Sequence, residues 1–277
     1  MSEYINYLFE NKKILSEDDI SYFRKLPNIL EKKKFIDNYQ QNNNGLHIYR
    51  IIKFNENFNN SLKNITKYKY VKDILDNGFS IIENILDPIT FTRISDDILY
   101  NNKKKFNINC LNFVNTINIL TNQNNKSYSL NLNHIQYNSS YDEQRNLHSD
   151  SPYPQLKCWI YINDISDNNG SFKYVKHSNI VSEELLQFYY NFSILKRDDP
   201  NFINHTENGK AGKIGSPRIF INNIYNENKI LKKLNLEEPT SLNYKKNTLV
   251  IANTFGLHKR GFCEKNNERL MLELVIN

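Results

Sequence analysis

The stretch RNLHSD, residues 145–150, decides how the rest of the chain is interpreted. If an extended segment carries it, His148 and Asp150 project to the same side, with Cα atoms roughly 6.6 Å apart at about 3.3 Å per residue. One metal ion can then bind both side chains. Two histidines and one carboxylate form the facial triad that is typical of non-haem Fe(II) oxygenases. His258 is the candidate for the second histidine, and the spacing alone leaves open whether it is the third ligand.

The composition predicts a folded protein. The chain has 277 residues, of which 39% are hydrophobic and 13% aromatic. This is enough apolar material for one large core or two small ones. A disordered chain would lack the aromatic content.

The charge argues against a nucleic-acid-binding protein. The formal net charge is +6 and the pI is about 8.9. The lysines and arginines are spread along the chain, with only short clusters such as residues 32–34 and 103–105. A nucleic-acid binder concentrates its charge in a stripe on a recognisable module, and we find no such module. Both clusters are interpreted as solvated surface.

Cysteine usage and the N-terminus predict a soluble cytoplasmic protein. Cys110, Cys158 and Cys263 are odd in number and form no CxxC pair, which fits a reducing compartment. The first residues, MSEYINYLFENKK, lack the basic start and apolar run of a signal peptide. No segment approaches the ~20 apolar residues that span a bilayer, so we expect no membrane partner.

The predicted organisation is a helical extension followed by one β domain. Residues 1–66 are interpreted as a mostly helical extension, in which residues 46–54 are a candidate short strand. Residues 67–277 are predicted to form the β domain, with an irregular insertion at about 179–240 that is typical of a lid or an excursion. The basic residues of this insertion are either ordinary solvated charge or contacts to an anionic substrate.

Helix and strand signals are sharp from residue 67 onward. A helix over residues 68–76 is closed by Asn77-Gly78 and followed by a strand from Phe79. Asp87 is a suitable N-cap for a second helix that reaches residue 101, because Pro88 is tolerated in the first turn.

Strand-like runs are predicted between residues 106 and 137, and residues 127–137 alternate most clearly. His134 and Gln136 share parity with the leucines of this run, so both are expected to point into one interior. His134 is interpreted as structural, and Gln136 as a candidate cofactor contact.

Four further strands are predicted at residues 156–163, 171–175, 248–252 and 269–276. The polar turn at residues 164–170 joins the first two as antiparallel neighbours. The polar connection at residues 259–268 does the same near the C-terminus, which would place His258 and Arg269 near one rim of a sheet.

The chain resembles the phytanoyl-CoA dioxygenase family over residues 67–277. The resemblance rests on three segments: DNGFSIIENILDPITF (residues 76–91), HSDSPYPQLKCWIYINDISDNNGSFKYVKHS (residues 148–178), and NTFGLHKRG (residues 253–261) followed by Arg269. It implies a mainly β protein with flanking helices (α+β), whose core is a double-stranded β-helix of the jelly-roll type.

The resemblance also implies a set of site residues and cofactors. His148, Asp150 and His258 would be the catalytic Fe(II) ligands, and Arg269 would bind the distal carboxylate of the co-substrate 2-oxoglutarate. Arginine suits this task because its planar fork meets both carboxylate oxygens at once. With O2, such an enzyme hydroxylates a small-molecule substrate and releases succinate and CO2. The carboxylate of Asp150 indicates hydroxylation, because halogenating relatives lack it.

Two departures and two alternatives accompany this interpretation. Val175-Lys-His-Ser178 stands where the family commonly has a Pro-Gly-Ser-His turn, and Met271 stands where many 2-oxoglutarate enzymes carry a hydroxyl. The alternatives are a cupin-like hydrolase or isomerase that uses another divalent ion, and a non-catalytic metal-binding barrel. Substrate identity and oligomeric state are not encoded in any recognised motif.

Overall fold

A computed structural model describes residues 46–137, 142–151, 153–186, 188–189, 219–221 and 227–276. Its helices are α1 (Leu46–Lys63), α2 (Lys69–Asn77), α3 (Pro88–Asn101), α4 (Leu111–Thr121) and α5 (Glu227–Lys233). Its strands are β1 (Phe79–Ile82), β2 (Lys105–Ile108), β3 (Tyr128–Gln136), β4 (Leu147–Ser149), β5 (Leu156–Tyr161), β6 (Phe172–Tyr174), β7 (Ile219–Ile221), β8 (Thr240–Leu242), β9 (Leu249–Asn253), β10 (His258–Arg260) and β11 (Glu268–Ile276).

Two antiparallel sheets form the β core. One sheet has six strands in the order β1-β9-β5-β11-β3-β2, and the other has five in the order β7-β4-β10-β6-β8. This architecture, with helices at its flanks, confirms the predicted fold class.

Two layers of apolar side chains enclose the six-stranded sheet. On one face, the helix-side core joins strand residues such as Ile160 and Ile251 to helix residues such as Ile74 and Phe113. On the other face, the inter-sheet core packs the two sheets together. Its members are Phe79, Ile135, Trp159, Tyr161, Ile165, Phe172, Tyr174, Leu242, Val250, Ala252, Cys263 and Met271. Because neighbouring strand residues alternate between faces, parity decides which core a side chain enters.

Local end signals are confirmed at two helices. Gly78 ends α2 in the left-handed conformation, with φ of 87°, and its N–H donates to Ile74 O. Asp87 caps α3 by accepting from the N–H of Thr90 at 2.9 Å. Asp87 therefore begins α3 and Gly78 ends α2, as predicted from the sequence.

Two local predictions are wrong. Residues 46–54, a candidate strand, lie in helix α1, where Ile51 and Asn55 are buried one helical turn apart. Residues 111–121, within a region interpreted as strands, form helix α4 and bury Phe113, Val114, Thr116 and Ile117. In both segments β-branched and aromatic residues favour strand locally, whereas packing of one helical face overrides that preference.

Two predicted strand pairings are also wrong. Strands β5 and β6, expected to be antiparallel neighbours, belong to different sheets. Strands β9 and β11, also expected to be antiparallel neighbours, lie in one sheet with β5 between them. His258 lies on β10 in the other sheet, so His258 and Arg269 do not share a rim of one sheet.

The chain divides into two compact units. The larger one comprises Phe58–Ser149, Pro154–Ile180 and Ile221–Asn277, and the smaller one takes the remaining segments. Among the described helices, none is long and apolar enough to cross a membrane. Residues 1–45 and most of the predicted insertion at 179–240 lie outside the described residues, and the predicted boundary at residue 66 stays a prediction.

Candidate metal centre

Strands β4 and β10 place two histidines side by side. His148 and His258 are direct partners in the antiparallel register of these strands. Their ring centroids lie 4.4 Å apart, with an interplanar angle of 56°. The ring of His258 also contacts Phe172 of the inter-sheet core, at 5.3 Å between centroids. Both imidazoles therefore belong to the interior side of the five-stranded sheet.

Asp150 completes a cluster of three buried donors. His148, Asp150 and His258 each offer one ligand atom, and these atoms all lie within 4.8 Å of one another. The three residues are 2%, 7% and 4% exposed. Two imidazoles and a carboxylate whose ligand atoms converge in this way form a donor set that suits a divalent cation.

Backbone carbonyls orient both imidazoles. Nδ1 of His148 lies 2.7 Å from Asn146 O, and Nδ1 of His258 lies 2.8 Å from Gly256 O. A carbonyl only accepts, so each Nδ1 must carry the proton and the lone pair is on Nε2. This is the arrangement that fixes the tautomer and ring direction of metal-binding histidines.

Tyr174 supports His258 from the neighbouring strand. It is the register partner of His258 on β6, and its hydroxyl donates to Asn253 O at 2.7 Å. Gly256 passes so close that a Cβ there would lie 1.8 Å from the Tyr174 hydroxyl and 2.9 Å from Ser178 Oγ. Position 256 thus requires glycine for its close approach, and the same residue supplies the carbonyl that orients His258.

We expect Gly256→Ala to lower the free energy of unfolding by about 2–3 kcal/mol, because the added methyl overpacks a filled interior. Urea denaturation of the metal-free protein measures this change. In a Tyr174→Leu background the same substitution should cost less, since the ring atoms that it meets are gone. Equal costs in both backgrounds would contradict the close contact.

Glu227 ties the two histidine-bearing strands together, a role that the sequence did not suggest. One carboxylate oxygen accepts from Leu147 N at 3.1 Å, and the other lies 2.5 Å from Lys259 Nζ. Leu147 and Lys259 directly adjoin the two histidines. No local sequence pattern indicates this role, because Glu227 contacts residues that are remote from it in the chain.

Arg269 lies on β11 and projects toward the inter-sheet core. Met271, two residues on, belongs to that core, whereas Leu270 and Leu272 belong to the helix-side core. Arg269 is 4% exposed, and its Nη1 donates to Gly170 O. Burial lowers the pKa of its guanidinium to about 10.

Among the described residues, this guanidinium has no acidic partner. No carboxylate in the described part of the chain forms an ion pair with Arg269, and its buried Nε has no hydrogen-bond partner there. A buried cation without a counter-ion is unfavourable, so the position suits an anionic ligand.

Three other predicted positions lie apart from the cluster. Gln136 ends β3 exposed, with the parity of His134 and opposite to that of the inter-sheet residue Ile135. His134 is exposed and pairs with Glu268 at 2.7 Å. His177 adopts φ of 64° in the loop after β6 and contacts Asp76 O, at the end of α2, at 2.8 Å. His177 therefore occupies the left-handed position of this loop, and its ring contacts the end of α2.

Comparison with known proteins adds the following. No protein-family model matches the chain, and no curated protein matches it. The resemblance to the phytanoyl-CoA dioxygenase family therefore stays a prediction.

Several solved structures resemble the chain. The epimerase SnoN, in complex with Fe3+, alpha ketoglutarate and nogalamycin RO, is 11% identical with a TM-score of 0.45, and the match covers 75% of this chain and 81% of SnoN. HygX from Streptomyces hygroscopicus with iron bound is 12% identical with a TM-score of 0.44, over 75% of this chain and 85% of HygX. The carbocyclase SnoK from nogalamycin biosynthesis is 11% identical with a TM-score of 0.42, over 75% and 82%. Similarity at this level does not identify the reaction or the substrate of this chain.

Proposed function

We propose that this protein is an Fe(II)- and 2-oxoglutarate-dependent oxygenase that hydroxylates a small-molecule substrate. The observation that carries the proposal is the buried cluster of His148, Asp150 and His258, whose ligand atoms lie within 4.8 Å of one another. Two imidazoles and one carboxylate are the donor set that non-haem Fe(II) oxygenases use, because it leaves adjacent coordination positions open. The second support is Arg269, a buried cation that faces the inter-sheet core.

The donor set fits Fe(II) chemically. Nitrogen and oxygen ligands of this kind suit iron, whereas structural zinc sites are closed by four ligands, usually with cysteine among them. The three cysteines of the chain are buried elsewhere and are not in the cluster. Bound iron and 2-oxoglutarate together supply the oxidation of an unactivated C–H bond by O2, with succinate and CO2 as the other products.

The protein residues would divide the work between binding and orientation. His148, Asp150 and His258 would hold the metal, and the carbonyls of Asn146 and Gly256 keep the two imidazoles in the ligating tautomer. Arg269 would bind a carboxylate of the co-substrate through charge-assisted hydrogen bonds. The burial of these groups strengthens each interaction because water does not screen it.

The direct test is turnover of 2-oxoglutarate. Protein loaded anaerobically with Fe(II) and 2-oxoglutarate and then exposed to O2 should form succinate slowly even without the hydroxylated substrate. Succinate is quantified by mass spectrometry, with Asp150→Ala as the matched control. An iron-loaded protein that forms no succinate would remove the proposal.

The same experiment separates the alternatives. A divalent-metal hydrolase or isomerase predicts metal binding with no dependence on O2, and a non-catalytic barrel predicts metal binding with no consumption of 2-oxoglutarate. The product of a full reaction would gain one oxygen atom in a hydroxylation.

A further inference from the structure

The inter-sheet core contains a second buried polar group, the hydroxyl of Tyr161. Tyr161 ends β5 and is 1% exposed, and its hydroxyl has no hydrogen-bond partner among the described residues. Tyrosine hydroxyls that are buried usually find a partner, and an unpaired one is costly. Its presence in this core therefore needs an explanation.

The strand register places Tyr161 next to the carboxylate site. Tyr161 is the direct partner of Met271 on β11, two residues beyond Arg269. Trp159 and Tyr161 share a face and both belong to the inter-sheet core, which is also the side toward which Arg269 projects. The pair Tyr161 and Arg269 thus lies on adjacent strands and points into the same space.

Electrostatics links the two side chains. Burial raises the pKa of Tyr161 to about 12, and the Arg269 guanidinium opposes that rise. In return, Tyr161 is the largest influence that raises the pKa of Arg269 against the effect of burial. This coupling agrees with the strand register, which directs both side chains into the inter-sheet core.

The neighbourhood of this pair is polar. Thr248, whose carbonyl accepts from Tyr161 N at 3.0 Å, also buries a hydroxyl that lacks a partner among the described residues. Thr248, directly before β9, Tyr161, at the end of β5, and Arg269, near the start of β11, therefore each carry a buried polar atom without a partner among the described residues. A purely structural core would place apolar side chains here.

We infer that the Tyr161 hydroxyl is a second donor to the carboxylate that Arg269 binds, and that it supplies from β5 the hydroxyl that Met271 does not supply on β11. The inference rests on the proposed function, because it names a further residue for the same co-substrate. A carboxylate has lone pairs enough for both groups: the guanidinium pairs with one edge, and the phenol donates to an oxygen that remains.

The hydrogen bond made by Nη1 of Arg269 supports the arrangement of two donors to one carboxylate. Nη1 of Arg269 donates to Gly170 O, which fixes the orientation of the planar guanidinium. Its buried Nε has no hydrogen-bond partner among the described residues, so this donor is available to an anion. Because one Nη1 donor of Arg269 is already used by the protein, the guanidinium alone does not pair with every lone pair of a carboxylate. The Tyr161 hydroxyl would supply a further donor to the carboxylate oxygens.

The test compares Tyr161→Phe with a matched tyrosine. Tyr70, on α2, also buries a hydroxyl without a described partner, and burial raises its pKa to about 12, yet it lines a separate groove beside α4. Both Tyr→Phe variants remove one unpaired buried hydroxyl and keep the ring, so they have similar consequences for folding.

The readout is binding, measured by isothermal calorimetry without turnover. Glutarate, which keeps both carboxylates of 2-oxoglutarate but lacks its 2-oxo group, probes the carboxylate site in metal-free protein. 2-Oxoglutarate is measured with the redox-inert Ni(II) in place of iron. Tyr161→Phe should weaken both ligands by roughly tenfold or more, as expected for a hydrogen bond to a charged group. Tyr70→Phe should leave both unchanged, and Ni(II) affinity should be equal in all three proteins.

The outcomes distinguish this inference from the function beneath it. Unchanged affinities in Tyr161→Phe, while wild type binds 2-oxoglutarate, would overturn the role of Tyr161 and leave the proposed function standing. A wild-type protein that binds Ni(II) but neither dicarboxylate would overturn both. An equal loss in Tyr70→Phe and Tyr161→Phe would point to a general effect of either substitution and would also remove the inference.

Discussion

His258→Ala should weaken Fe(II) binding by more than about 100-fold and abolish the O2-dependent formation of succinate. Loss of a supporting residue beside a metal typically costs about 10–100-fold in affinity, so loss of a ligand is expected to cost more. The remaining His148 and Asp150 would offer two donors, too few for a stable site in competition with water. Fe(II) affinity is measured anaerobically by competition with a chromophoric chelator.

His134→Ala is the matched control for this experiment. His134 is also a strand histidine, but it is exposed and pairs with Glu268 away from the cluster. Its replacement should change neither Fe(II) affinity nor succinate formation. Thermal unfolding of both variants checks that they fold. A folded His258→Ala protein with wild-type iron affinity would exclude His258 as a ligand.

Arg269→Met should weaken the binding of 2-oxoglutarate by roughly 30-fold to several thousandfold. This range corresponds to the loss of about 2–5 kcal/mol that is typical when one partner of a buried charge pair is truncated. Fe(II) affinity should stay unchanged, because Arg269 is not in the metal cluster. Calorimetry with Ni(II) in place of iron separates the two affinities. Arg93→Met, at an exposed arginine on α3, is the matched control.

The same substitution should stabilise the protein in the absence of ligand. Burial lowers the pKa of Arg269 to about 10, well below that of a free guanidinium, so the folded state holds the proton less tightly than the unfolded chain does. The charge therefore costs folding free energy at every pH below about 10, and the cost is relieved as the pH rises above that value. At neutral pH, Arg269→Met should melt at a higher temperature than wild type. A lower melting temperature would mean that the guanidinium has a counter-ion when the protein is free.

The sequence indicated which three donors come together in the cluster better than it predicted the strands that carry them. Their roles as ligands stay predictions. Asp87 and Gly78 mark helix ends because capping depends on the backbone of only a few neighbouring residues. A local sequence pattern is therefore enough to predict them. The alternation around Arg269 likewise gives the parity of its strand. In contrast, whether β10 and β11 share a sheet depends on partner strands more than eighty residues away, and local patterns contain no information on that choice.

Helix α4 illustrates the same limit from the other direction. Its sequence, LNFVNTINILT, is rich in residues that favour strands. The helix forms because Phe113, Val114 and Ile117 fall on one side at helical spacing and fill the helix-side core. Glu227 was missed for a related reason, since its two contacts join segments that are remote in sequence.

One consequence of the pairing between β4 and β10 concerns insertions and deletions. The two strands are three residues long and meet at a single residue pair, His148 and His258. Adding one residue between Gly256 and His258 would send the second imidazole to the outer face, because successive side chains alternate. Such a chain would still contain all three donor residues, but their side chains would no longer converge. In homologous chains, an insertion or deletion in this loop should therefore predict loss of activity better than a substitution near it.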